Sequence, residues 1–193
     1  MELHNPEAFY TALRKITGSL NAVQVDTITK LLAGAAHWPI GFVAYALATA
    51  WHEARLAPIH EMGGPAYLSK YDRPPLASRL GNTHPGDGIK YAGRGLVQLT
   101  GRANYAKASA ATEADLITNP DFALHPDIAV RILIWGMETG AFTGRKLSDY
   151  IVDRGTHDAF VRCRKIINGA DCDAKIAGYA DAIQDALTLG QWK

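Results

Sequence analysis

The sequence predicts an α+β fold, mainly α, in one domain with a small, irregular β segment near the middle of the chain. Three observations predict it. Apolar residues recur at helical spacing in both halves, helix-start and helix-stop residues bracket those stretches, and a glycine- and proline-rich segment between residues 58 and 91 separates them. With 193 residues, 48% hydrophobic and 20% charged, the chain has the size and apolar content of one ordinary core, so a single domain over 1–193 is expected.

The elements follow in order. Asn5-Pro6-Glu7 is a helix start, a capping residue before a proline in the first turn, and Phe9, Leu13 and Ile16 continue the period to Gly18. Asn21 opens a second helix with Gln24 as its capping-box partner, and Val25, Ile28, Leu31 and Leu32 form its apolar face. Pro39 opens a third, from about Ile40 to Ala57, whose alanines 44, 46, 48 and 50 let neighbours approach closely, with Pro58 expected to end it. After the irregular segment, residues 96–100 are predicted as a short strand and Arg102 to Ala111 as a helix. Pro126 starts another through Ile128, Ile132 and Trp135, and the last two are expected over Asp158 to Ile167 and Asp173 to Leu189.

Composition removes several function classes. A formal charge of +1 gives no long-range pull toward a polyanion, and no local basic patch stands out, so no nucleic-acid partner is expected. Cys163 and Cys172 are too few for a disulfide scaffold or a four-cysteine zinc site and are expected as free thiols. The opening twenty residues lack the basic region, apolar core and small-residue cleavage site of a signal peptide, which predicts synthesis and residence in the cytoplasm. The apolar stretch Ile40 to Trp51 is too short for a membrane span of about 20 residues, so no stable membrane association is expected. His52-Glu53 lacks the second histidine of a zinc protease, because Leu56 stands there, and Gly93-Arg94-Gly95 lacks the third glycine of a dinucleotide turn. Neither metal nor cofactor is expected, and the chain is expected to act as a monomer.

Two carboxylates remain. Glu53 lies near the end of the most apolar helix, where partial loss of water would suit a general acid, and pairing with Arg55 is the competing structural role. Glu61 follows eight residues later, beyond the helix-breaking Pro58, so the two sit on a helix end and the loop leaving it. That arrangement is able to hold two carboxyls across a cleft, as glycosidic cleavage requires. The block from Tyr91 to Tyr105 adds tight glycine turns, the uncharged hydrogen-bonding groups Gln98, Thr100 and Asn104, and the aromatics Tyr91 and Tyr105, a mixture suited to sugar rings or to an ordinary glycine-rich hairpin. Tyr67, Tyr71 and Trp135 are further aromatic candidates, with core packing the better reading of Trp135.

That block resembles the signature of glycoside hydrolase family 19, chitinases and their bacteriophage endolysin relatives. Ala46 to Glu53 looks like the family's helix ending in His-Glu, and Pro58-Ile59-His60-Glu61 is similar to the Pro-Ile-x-Glu of the phage branch. Leu80-Gly81-Asn82, Gly86-Asp87-Gly88 and Ile167-Asn168-Gly169 extend the resemblance to roughly Ala46–Tyr179. It implies a lysozyme-like, two-lobed fold with a central cleft, Glu53 as general acid, Glu61 as general base and Thr100 holding the attacking water. Gln98, Asn104, Asn168, Tyr91, Arg94 and Tyr105 would then contact sugar or order the site. The implied substrate is peptidoglycan glycan strands, cut with inversion by an endolysin that leaves the host cytoplasm through a lesion made by a separate membrane-permeabilising protein. A single catalytic domain with no separate wall-binding module is then expected. Chitin hydrolysis is the rival activity, and sugar binding on an inactive hydrolase fold the non-enzymatic one. Two departures stand out: the late motif reads Asn168-Gly169-Ala170, where a second glycine is usual, and Lys175 lies near the place of a family arginine.

Overall fold

The structure, a computed structural model, describes residues 2–193. Its long elements start where the capping chemistry places them. In α1 (Pro6–Thr17) the Asn5 side chain accepts from the Ala8 N–H, and in α2 (Ala22–Gly34) Asn21 and Gln24 close a reciprocal capping box. The helix α3 (Ile40–Ala54) is buried on every side between Val43 and Trp51, as its alanine-rich sequence implies. It stops three residues earlier than expected. Pro58 is not the cause: Arg55 and Leu56 turn left-handed, and the Leu56 N–H returns to the Ala50 carbonyl at 3.0 Å while its side chain enters the core.

The irregular segment holds more order than its composition suggests. Short helices α4 (Pro65–Leu68), α5 (Leu76–Leu80) and α6 (Asp87–Lys90) pack around a 3₁₀ turn at Ser69–Asp72. Strand β1 (Ile59–His60) pairs antiparallel with β2 (Arg94–Gly95), Ile59 opposite Gly95 and His60 opposite Arg94. The predicted strand at residues 96–100 is corrected. Leu96 to Gln98 form a turn, Gln98 adopts φ 53°, and Leu99 returns only as an isolated bridge to Arg94. Alternating apolar character identified a β-prone run, but the glycines at 93 and 95 moved the paired residues upstream.

Beyond it lie α7 (Arg102–Thr112), α8 (Pro126–Thr139), α9 (His157–Cys163) and α10 (Asp173–Leu189). The helix expected to continue to Ile167 instead narrows into a 3₁₀ turn at Arg164–Ile166. In the larger helical body α10 packs on α1, α3 and α9, and α2 packs on α8. Together with the smaller group of short helices this gives the mostly α, lysozyme-like fold. Among the described residues no helix is long and apolar enough to cross a membrane. Both cysteines are free thiols, and burial pushes the Cys163 thiol up to about 12.

A buried ion pair ties the short helices to α7. The Asp87 carboxylate accepts from Arg102 Nε at 2.7 Å and Nη2 at 2.6 Å, and from the Thr83 and His84 amides at 2.9 and 3.0 Å. Arg102, followed by the two amides, outweighs burial and holds this carboxyl at about 2, below its ordinary 3.8. A depressed carboxyl stabilises the fold above the unfolded value, so about 2 kcal/mol is present above roughly pH 4 and lost as pH falls through about 2. Urea unfolding across that window should therefore show wild type losing its advantage over Asp87→Asn. Parallel pH curves for the two proteins would refute this assignment.

Candidate active site

The hairpin made by β1 and β2 positions Glu61. Its amide donates to the Gly93 carbonyl at 2.7 Å, and its Oε2 accepts from the Gly93 N–H at 3.0 Å. Its Oε1 accepts from the Tyr71 hydroxyl at 2.8 Å and lies 3.7 Å from Lys70 Nζ. An ionised carboxylate accepts about four hydrogen bonds, so these donors leave room for a water. Gly93 is required here: a Cβ would lie 2.8 Å from Gln98 Oε1 and 3.0 Å from Glu61 Oε2. Burial first, then the adjoining Glu61 carboxylate, pushes the Tyr71 phenol up, which keeps it a hydrogen-bond donor at neutral pH.

Glu53 is held from the other end of the chain. Arg164 Nη1 donates to its Oε1 at 2.5 Å, and the same guanidinium donates to the Asp171 carbonyl at 3.0 Å and to the Asp171 carboxylate at 3.1 and 3.3 Å. Burial opposes the charge on Arg164, but Glu53 and Asp171 outweigh it and its pKa is raised. Glu53 Oε2 takes no hydrogen bond among the described residues. Burial lowers the pKa of the neighbouring His52 despite the pull of Glu53, so its imidazole is neutral near pH 7. The alternative partner of Glu53, Arg55, is not used; its guanidinium lies 4.7 Å over the Trp51 ring.

A groove of about 640 Å³ is lined by Tyr71, Thr100, Asn104, Phe142, Thr143 and Asn168 among others, with neither Glu53 nor Glu61 in its lining. Thr100 Oγ1 donates to the Gln98 carbonyl at 2.8 Å and Asn104 Nδ2 donates to the Thr100 carbonyl at 2.8 Å, so both are fixed to the turn that carries Gln98. Each glutamate is one contact away from the groove: Tyr71 donates to Glu61, and the Asn168 N–H donates to the carbonyl of Arg164, the partner of Glu53.

Three expected sugar contacts are corrected. Tyr91 and Tyr105 are wholly buried: the Tyr91 hydroxyl donates to the Ile117 carbonyl, and the Tyr105 hydroxyl donates to the Ala92 carbonyl. Arg94 is buried as well, and its guanidinium donates to the Lys90 and Ala92 carbonyls, the Tyr105 hydroxyl and Asp121. These side chains brace the glycine turn from behind. Gln98 also turns inward, its Nε2 donating to the Ile59 carbonyl at 3.2 Å, which orders the hairpin below Glu61. Lys175 is exposed and makes no ion pair among the described residues; the arginine paired with Glu53 is Arg164. Trp135 is partly buried against the core, edge-on to Phe142 of the groove.

Sequence reasoning missed Arg164, Asp171 and Lys70, and it offered Tyr71 as a sugar-stacking or core aromatic and not as the partner of Glu61. Arg164 stands among other cations, Arg162 and Lys165, so no local signal marked it as the buried one. Tyr71 and Lys70 lay in a segment without periodicity, where no pattern aims a side chain. Among the described residues no group of three or more His, Cys, Asp or Glu side chains is placed to hold a metal ion.

No family model matches the chain. A glycosyl hydrolase family 19 domain-containing protein from Haemophilus influenzae is 40% identical over 80 residues, 37% of this chain and 40% of that protein. An endochitinase from Pisum sativum is 38% identical over 73 residues, 37% of this chain and 23% of its own length, and the acidic endochitinase Q of Nicotiana tabacum is 33% identical over 110 residues, 51% and 42% of the two chains. Each match covers less than half of the relative's length. The structure of chitinase C from Streptomyces griseus superposes with a TM-score of 0.67 over 92% of this chain and 75% of that one, at 19% identity, a likeness of fold. Partial sequence similarity and a fold shared along nearly the whole chain together relate this protein to glycoside hydrolase family 19.

Proposed function

We propose that the protein is a glycoside hydrolase that cuts the glycan strands of bacterial peptidoglycan with inversion, acting as a phage or prophage endolysin. The observation that carries the hydrolase reading is the pair of glutamates, Glu61 held by Tyr71 of the groove lining and Glu53 by Arg164 next to it, beside a groove of amides, hydroxyls, aromatic rings and two cations. In this mechanism Glu53, paired as an anion with Arg164 in the free protein and oriented by it through Oε1, takes up a proton from water on its Oε2 and gives it to the glycosidic oxygen as the C1–O bond breaks. Glu61, with its remaining acceptor capacity, takes a proton from a water that attacks C1 from the opposite face, leaving a reducing-end sugar and a free hydroxyl. Thr100, whose own proton is committed to Gln98, offers lone pairs to that water. Asn104 and Asn168 face the sugar from the groove lining.

The choice of peptidoglycan rests on Pro58-Ile59-His60-Glu61, which resembles the phage branch. On this reading the enzyme acts as a monomer, accumulates in the host cytoplasm and reaches the wall through a lesion made by another protein. Chitin is the second substrate reading, favoured by the names of the plant and Streptomyces relatives. The test is digestion of purified Gram-negative peptidoglycan and of chitin, with products read by mass spectrometry. Reducing-end muropeptides are expected. Anhydro ends would overturn the hydrolytic step, and cleavage of chitin alone would give the second reading preference.

A further inference from the structure

The groove carries two cations that nothing in the fold uses. Arg79, on α5, and Lys107, on α7 and one turn beyond Asn104, both line the groove and are both exposed. Neither forms an ion pair or a side-chain hydrogen bond among the described residues, and the groove lining contains no carboxylate. Among the cations close to the two glutamates, Lys70 lies against Glu61, Arg94 against Asp121, Arg102 against Asp87, and Arg164 against Glu53 and Asp171, whereas Lys175 is unpaired but does not line the groove. The chain's formal charge of +1 supplies no long-range field, so what Arg79 and Lys107 add to the groove is local.

We propose that Arg79 and Lys107 bind the carboxylates of the peptide stems that branch from the glycan, and that they set the preference of this groove for a peptide-bearing glycan over a neutral one. This inference rests on the peptidoglycan reading and deepens it. A polymer of N-acetylglucosamine offers only hydroxyls and amides, which Thr100, Asn104 and Asn168 are equipped to meet, and gives two cations no partner. Peptidoglycan adds anionic groups along the strand at the spacing of its stems. An exposed cation–carboxylate contact is weak and salt-sensitive, so these residues act on substrate capture while the bond-breaking step stays with the glutamates.

The test compares wild type with the Arg79→Gln/Lys107→Gln double variant on intact Gram-negative peptidoglycan and on the same glycan with its stem carboxylates converted to neutral methylamides. Circular dichroism confirms folding, which two exposed substitutions should leave intact. The loss of kcat/KM on intact peptidoglycan should exceed the loss on the methylamidated glycan by roughly tenfold, carried by KM, since each exposed pair contributes up to about fivefold. Added salt should erode the preference of wild type and leave the variant flat. An equal loss on the two glycans overturns the charge reading alone, whereas a wild type that cuts chitin and neither glycan overturns the peptidoglycan reading and this one with it.

Discussion

Glu61→Gln and Glu53→Gln are each expected to lower kcat by about 10³-fold, within the range that positioned acids and bases supply, with KM little changed. The two variants should differ in how they fold. At position 61 the carboxylate meets donors at both oxygens: Tyr71 and Lys70 at Oε1, and the Gly93 amide at Oε2. A glutamine must turn its NH₂ toward one side. It will face Tyr71, whose hydroxyl rotates to accept, since the Gly93 N–H is unable to do so. The cost is then the weakened Tyr71 contact and the loss of the partly exposed Lys70 ion pair, and the melting temperature should fall only slightly. At position 53 the substitution removes one of the two anions on a nearly buried guanidinium, so Glu53→Gln should melt lower than Glu61→Gln. Activity is read as released reducing ends and folding by thermal melts. Full activity in Glu61→Gln beside loss in Glu53→Gln would replace the two-carboxylate hydrolysis with a single-acid reaction of the lytic transglycosylase kind.

The second large effect concerns stability. Arg164 is 2% exposed and joins α3, through Glu53, to the Asp171 segment that precedes α10. Arg164→Met keeps the volume and removes every donor. Two carboxylates and a carbonyl then lose a common partner, and breaking a buried ion pair from one side costs about 3–5 kcal/mol. For a chain of this size that corresponds to a fall of about 10 °C in melting temperature. Adding Glu53→Gln to Arg164→Met should cost less than the sum of the two single changes, because they share one interaction. A melting temperature for Arg164→Met within about 2 °C of wild type would show that the guanidinium is dispensable to the fold.

The parts of the fold legible in the sequence were those governed by local chemistry. Asn5-Pro6 and the Asn21–Gln24 box start helices because capping involves neighbours three residues apart. The end of α3 was not legible: Pro58 was the obvious stop, but the left-handed Arg55 and Leu56 are held by the burial of Leu56, which is tertiary. The same division runs through the site. Glu53, Glu61, Thr100, Asn104 and Asn168 were singled out from residue type and ordered motifs; Thr100, Asn104 and Asn168 line one groove, and Glu53 and Glu61 are held next to it. Tyr91, Arg94 and Tyr105 were misassigned because composition suits a sugar platform and a buried brace equally, and only the direction of their side chains separates the two. The partners that hold the carboxylates, Arg164 from 111 residues away and Tyr71 from an aperiodic segment, depend on chain folding that no local pattern encodes.

That long reach between Glu53 and Arg164 also sets an order of events during synthesis. A ribosome releases Thr100 and Asn104 well before the turn at Arg164 emerges, so Glu53 leaves the exit tunnel while its partner is still inside. The Glu53–Arg164 pair thus closes only after most of the polypeptide has been made.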